Sequence, residues 1–314
     1  MILFLWACLA EGTPVGSTAG LPESPEAPRA TPRPASASPG PSGGAAPAVA
    51  LEGAGSNAPP IEAYRWGPTH SARLAERVPA PSGHERVATD AWGEWLRALP
   101  VYPGDHPVLA YDGREIAPAS AVVAVLDLDV GSADLQQCAD TVLRLRAEYL
   151  WSVGDKAALA WRYTSGDLSS YRRWAAGERA TVRGSSVSWS RRAAPSDSYA
   201  DFRAWLNDLF TYAGTRSLVK EGVAADPANP RPGDFLVIGG SPGHALILLD
   251  VAKNADGRHV ALVAEGYMPA QEAHVLPGPL SGWYPVNPTG GLSVPTWPDP
   301  FLWSGLRRFG ASAG

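Results

Sequence analysis

"GDFLVIGGSPGHALILLDVAKNADGRHVALVAEG", residues 233–266, contains three apolar runs separated by two turn signals, and its reading decides the fold class. FLVI, HALILLDVA and HVALVAE are each short, rich in Leu, Val and Ile, and bounded by Gly, Pro, Asn or Asp. That pattern predicts buried strands rather than helices. KNADGR is a hairpin-type turn and GGSPG a tighter break, so the three runs read as an antiparallel meander.

Upstream, the period lengthens from two residues toward 3.6. "DLQQCADTVLRLRAEYL", residues 134–150, puts Leu135, Cys138, Val142 and Tyr149 on one side of a helix, for which Ser132 is the expected N-cap. Residues 90–100 predict a short helix stopped by Pro100, residues 120–131 a strand, and residues 158–164 and 185–190 two more. A short helix is expected around "LSSYRRWAAG" and a long one from Ser198 to about Lys220. The expected class is α+β, with helices early and a meander late.

The chain has 314 residues, 45% of them hydrophobic, enough for a real core. A net charge of -5 and the lack of any basic run argue against a nucleic-acid partner. Residues 11–62 are dominated by Pro, Ala, Gly and Ser with no apolar period, and read as a disordered linker. Residues 1–10, "MILFLWACLA", loosely fit a lipoprotein signal with Cys8 as the lipid attachment residue. A single folded domain is expected over 63–314, exported to the cell envelope, either membrane-anchored through Cys8 or secreted. With Cys8 lipidated, Cys138 is the one thiol left, which excludes an internal disulfide framework.

Cys138 has two readings. One is a small apolar residue in the core, the usual fate of a free cysteine. The other is a nucleophile on a helix that packs against a sheet, with His244, at the first residue of a strand, as general base. Glu265, at the end of the next strand, would orient the imidazole, with Gln271 and Asp250 as alternatives. Gln136 and Gln137 flank the thiol and could offer an oxyanion donor. Arg144 or Arg146 would suit a peptide carboxylate, or else form ordinary surface ion pairs on the helix. Twelve tryptophans are many for this length; some could stack on sugars, most would serve the core. Asp127, Asp129, Asp134 and Asp140 lack calcium-loop spacing, and His259 and His274 lack zinc spacing, so no metal or other cofactor is expected.

The order of helix-borne Cys, Gly-Asp-apolar strand, Gly-His at a strand start and a polar residue on the next strand resembles the NlpC-type cell-wall peptidases among papain-like cysteine hydrolases. That resemblance implies a papain-like core and hydrolysis of an amide in a cell-wall peptide, with Cys138, His244 and Glu265 catalytic and Gln137, Arg144 and Gln271 binding substrate. "DLDVGSADLQQCADTVLRLRAEYL", "SPGHALILLDVA" and "YMPAQEAHVL" are also similar to the bacterial domain-of-unknown-function family 4846, typical of exported proteins and lipoproteins, which implies no established activity. The alternative function is a non-catalytic envelope module that binds glycan or peptide.

If Cys8 is the anchor, the full chain partitions with membranes and Cys8→Ser moves it to the soluble fraction. Equal partitioning of the two in a membrane fractionation would exclude the anchor.

Overall fold

The computed structural model describes residues 64–310; the expected signal, Cys8 and the linker lie outside the described residues. The elements that position the site are helices α1 (Ala91–Arg97), α2 (Cys138–Ser152), α3 (Tyr199–Tyr212) and α4 (Thr215–Glu221). The strands of the main sheet are β1 (His84–Arg86), β2 (Ala124–Val125), β3 (Gly222–Ala224), β4 (Phe235–Ile238), β5 (His244–Asn254), β6 (His259–Glu265), β7 (His274–Val275), β8 (Trp283–Pro285) and β9 (Arg307–Phe309). They form a nine-stranded sheet in the order β2-β7-β6-β5-β4-β9-β3, with β1 also paired to β5 and β8 to β6. Every pairing is antiparallel. The protein is therefore α+β, and the three runs of residues 233–266 form the middle of the sheet as their composition predicts.

Each face of this sheet buries its own apolar cluster. One joins α2 and α3 to the strands through Val142, Leu145, Trp205, Ala245 and Ile247; the other holds Leu246, Leu248, Val263, Phe301 and Trp303. Alternation along β5 sets this division, odd residues facing α2 and even ones facing away. A bulge between Leu248 and Asp250 inserts Leu249 as an extra residue, after which Ala252 joins Leu249 on the α2 face and Val251 takes the opposite one.

Two helix boundaries differ from expectation. The helix expected from Ser132 begins at Cys138 instead, because Arg144 folds the preceding loop back along it. Arg144 is fully buried; its guanidinium donates to Glu148 Oε1 (2.7 Å), Gln136 Oε1 (2.7 Å), Asp129 Oδ1 (2.8 Å) and the Asp129 carbonyl (3.1 Å). These bonds hold residues 129–136 out of helical geometry. The helix expected to run unbroken to Lys220 is split at Gly214, whose N–H is taken by Ser217 Oγ at 3.0 Å, so a new helix starts there. The strand expected over 120–131 shrinks to Ala124–Val125. Ala160–Arg162 and Ser186–Arg191 are strands near their expected places, in separate two-stranded ribbons.

Six residues along β5, the buried Asp250 carboxylate accepts from Arg86 Nε (2.5 Å) and Arg97 Nε (2.7 Å), tying α1 to β1 and β5. Removing Asp250 leaves the Arg86 guanidinium with backbone acceptors alone and Arg97 with Glu94 as its carboxylate partner. Asp250→Ala is expected to lower unfolding free energy by about 3 kcal/mol or more in denaturant titration. A change within about 0.5 kcal/mol, typical of surface sites, would show that the clamp adds nothing.

Candidate active site

Cys138 is the first residue of α2, with Gln137 as N-cap, and not in the second turn as a Ser132 start implied. The first N–H groups of a helix have no intrahelical acceptor, so the start of α2 presents free donors and a positive dipole end beside the sulfur. The thiol itself is buried, 7% exposed, and meets the backbone N–H groups of Ala245 and Ala139. Burial, followed by the nearby Asp140 carboxylate, pushes the thiol up to about 11 despite those N–H groups. The resting group is therefore a thiol at neutral pH.

His244 opens β5 immediately after Gly243, where any larger residue would collide: a Cβ there would lie 2.7 Å from the Ile238 carbonyl oxygen and 2.8 Å from the Gly240 nitrogen. The imidazole is fully buried and its Nε2 is 2.8 Å from Glu265 Oε2. Burial raises the Glu265 carboxyl, but hydrogen bonds from His244 and His274 outweigh it and hold the group below its usual range. An ionised carboxylate only accepts, so Nε2 is the donor of this bond. Nδ1 is buried without a hydrogen-bond partner.

The imidazole is packed against Trp297 (ring centroids 5.3 Å apart, stacked), Tyr267 (4.9 Å) and Phe301 (5.8 Å). Thr296 Oγ1 donates to Glu265 Oε2 at 2.9 Å, and His274 Nε2 stands 3.5 Å from Oε1. The Glu265 carboxylate is thus flanked by three side chains.

The structure therefore brings His244 and Glu265 together, and sets the Cys138 thiol against the N–H of the residue that follows His244. It does not join Cys138 to His244 by a hydrogen bond. Ala245 belongs to the α2 face of β5 and the His244 ring to the opposite face, so thiol and imidazole flank the first peptide of the strand from two sides.

The other expected residues fall as follows. Gln137 lines the cleft beside Cys138, its Nε2 donating to Asp134 Oδ1 at 3.1 Å. Arg144 has no exposure, and internal acceptors occupy its guanidinium, so the expected carboxylate-binding role and the surface-pair reading both give way to a buried structural one. Gln271 is buried and does not line the cleft. Asp250, six residues along the strand from His244, is about 20 Å away and is held by the two arginines. His274, Thr296 and Trp297 were not expected at the site. His274 was legible as the partner of Glu265 only once strand register was known, and "VPTWPDP" has no period that could be read.

The cleft, of about 370 Å³, lies between the starts of α2 and α4 and the turn before β5, with Cys138 in its wall. Among the described residues no cluster of His, Cys, Asp and Glu could hold a metal ion, and no helix is long and apolar enough to cross a membrane. A family model, "Domain of unknown function (4846)", matches residues 74–308, and the chain belongs to that family. Among curated proteins and solved structures, none matches the chain.

Asp140, two residues after the thiol, carries a pH signature. Burial pushes its carboxyl up from an ordinary 3.8 to about 8, against the N–H of Gln137, which favours the ionised form. The folded protein therefore holds a proton there that the unfolded chain loses, and stability falls as pH rises from about 4 to about 8. Asp140→Asn removes that slope: its stability advantage over the natural protein should grow across this interval and then level off in thermal melts. A constant difference from pH 4 to pH 8 would contradict the assignment.

Proposed function

We propose that the protein is an exported cysteine hydrolase with a papain-like core, cleaving an amide in a cell-wall peptide or related compound. The observation that carries this reading is the convergence of three features at one strand end. A cysteine stands at the first residue of a helix, its thiol meets the peptide N–H after His244, and His244 is oriented by a buried carboxylate. The similarity in residue order to NlpC-type peptidases supports the same assignment, and localisation to the cell envelope through Cys8 belongs to the proposal.

Chemically, Nδ1 of His244 takes the thiol proton as Cys138 sulfur attacks the substrate carbonyl carbon. Because the resting thiol is neutral, proton transfer accompanies attack rather than preceding it, and since thiol and imidazole lie on two sides of the first peptide of β5, the proton passes through a water or substrate group that bridges them. The N–H of Cys138, unpaired at the helix start, and the Gln137 side chain face the developing oxyanion. His244 then gives its proton to the leaving amine, and water hydrolyses the thioester to release the acid and restore the thiol. Glu265 stabilises the transient imidazolium, and Thr296 and His274 hold Glu265 in place.

The second reading is a non-catalytic envelope module that binds glycan or peptide in the same cleft. Its support is the buried thiol with a raised pKa. A peptidyl chloromethyl ketone separates the two readings. As a hydrolase, the native chain alkylates at Cys138 near neutral pH faster than the unfolded chain, and His244→Ala, assayed below its own melting transition, slows this by about 10²-fold or more. Modification only after unfolding would favour the binding module.

A further inference from the structure

Arg146, two residues along α2 from Arg144, is placed very differently. Arg144 is fully buried with acceptors all round, whereas Arg146 is partly exposed and, among the described residues, has no hydrogen-bond acceptor and no ion-pair partner. Its guanidinium lies instead against three rings, 5.2 Å from the Tyr149 centroid, 5.3 Å from that of Trp92 and 5.9 Å from that of Phe309. Rings attract the cation and fix its plane, but leave its N–H edge without acceptors. The Arg146 nitrogens keep access to solvent, in contrast to Arg203 Nη1, which is buried and unpaired. Burial draws the group below its ordinary pKa, against the opposing effects of Tyr149, Asp90 and Asp155.

Arg146 lines a second cleft, of about 450 Å³, which shares no lining residue with the cleft at Cys138. The two residues are eight apart on α2, about 12 Å along its axis. Leu150, one turn beyond Arg146 on the same helix face, lines the second cleft together with Trp161, Leu168 and Phe309, so the cation borders an apolar wall. Arg172 adds an exposed guanidinium that has no partner among the described residues. Glu221, the acidic residue in the lining, is already engaged: its Oε1 accepts the Arg162 backbone N–H at 2.6 Å, and its Oε2 is 3.8 Å from Arg162 Nη1. The lining therefore carries net positive charge beside apolar surface.

We propose that this second cleft binds an organic carboxylate with an apolar body, the carboxylate held by Arg146 and the body lying against Leu150, Trp161, Leu168 and Phe309. A carboxylate meets the edge of a guanidinium with two parallel N–H···O bonds, and the ring-fixed plane of Arg146 is set for that fork. It brings the acceptors and the counter-charge that the chain does not supply, while its apolar part covers a wall otherwise left to water. The carboxylate could belong to a free acid or to the C-terminus of a peptide. Because the two clefts are separate, the assignment stands independently of the hydrolase reading.

Calorimetric titration of the full chain with N-acetylleucine and N-acetylleucinamide tests it. The amide keeps the apolar body but turns a donor toward the guanidinium, so the acid should bind at least about tenfold tighter. Arg146→Gln should bring the acid to within about twofold of the amide. Leu168 is 45% exposed at the rim, so Leu168→Glu leaves the fold intact and sets a like charge beside the ligand. It should weaken the acid by about fivefold or more and the amide by less. Equal affinities of acid and amide in the natural chain, or no binding of either at about 10 mM, would overturn the proposal whether or not Arg146→Gln folds. Binding of the acid unaltered by both substitutions would place it elsewhere and overturn the assignment equally. Tighter binding of inorganic phosphate than of N-acetylleucine would make this a phosphate site and reject the carboxylate class. Two more ligands separate the sources: N-acetyl-Ala-Ala-Leu binding tighter than 4-methylpentanoate assigns a peptide C-terminus, and the reverse order assigns a free acid.

Discussion

The buried guanidinium of Arg144 is the constraint on which the start of α2 depends. It spans one turn forward to Glu148 and two turns back to Gln136, and closes on both the backbone and side chain of Asp129. By holding Asp129 and the Gln136 side chain it pins both ends of residues 129–136 against α2, and the helix starts where the cysteine is. Glu148 also receives the Tyr199 hydroxyl at 2.7 Å, and Asp129 receives Arg203 at 2.9 Å, so α3 is tied to the same network. A buried ionic cluster of this kind is weak evidence of net stability but a strong specifier of geometry, because each alternative packing leaves a charge unpaired.

From that constraint the electrostatics of the site follow. A cysteine at the first helical residue is placed where backbone N–H groups favour a thiolate, yet here the favourable dipole is outweighed by burial and by a carboxylate two residues on. The His244–Glu265 pair, by contrast, is shut away from water by Trp297, Tyr267 and Phe301, where a hydrogen bond to a carboxylate is worth more than at a surface. The site therefore sets a thiol with a raised pKa beside a firmly held imidazole–carboxylate pair.

Much of this was legible in the sequence, for identifiable reasons. Residues 233–266 could be read because burial on both faces demands continuous apolar runs, and because Gly243 and the Asn254–Gly257 turn leave few alternatives. Glu265 could be placed near His244 by counting along an antiparallel hairpin. The start of α2 could not be read, because Ser132 satisfies every local rule for an N-cap and only the long-range bonds of Arg144 override it. The burial of Arg144 was hidden for the same reason: its i,i+4 spacing to Glu148 looks like a solvated helix pair, and nothing local says that a loop will cover it. Trp297 and Thr296 reach the site from a Pro-rich segment whose position only the tertiary fold determines.

The extra residue at the bulge of β5 works as a change of phase. Upstream of it, parity assigns each side chain to a face from His244 onward; downstream, the parity is reversed and Asp250 can meet the arginines on the α2 side. The two ends of one strand are thereby made independent in length. A deletion between Ala245 and Leu248 would turn His244 to the wrong side of the sheet, whereas a deletion in the exposed turn at Ala255–Gly257 would leave the phase at His244 untouched. Tolerance to changes in chain length should therefore step sharply at Leu249, although both segments belong to the same continuous strand and hairpin.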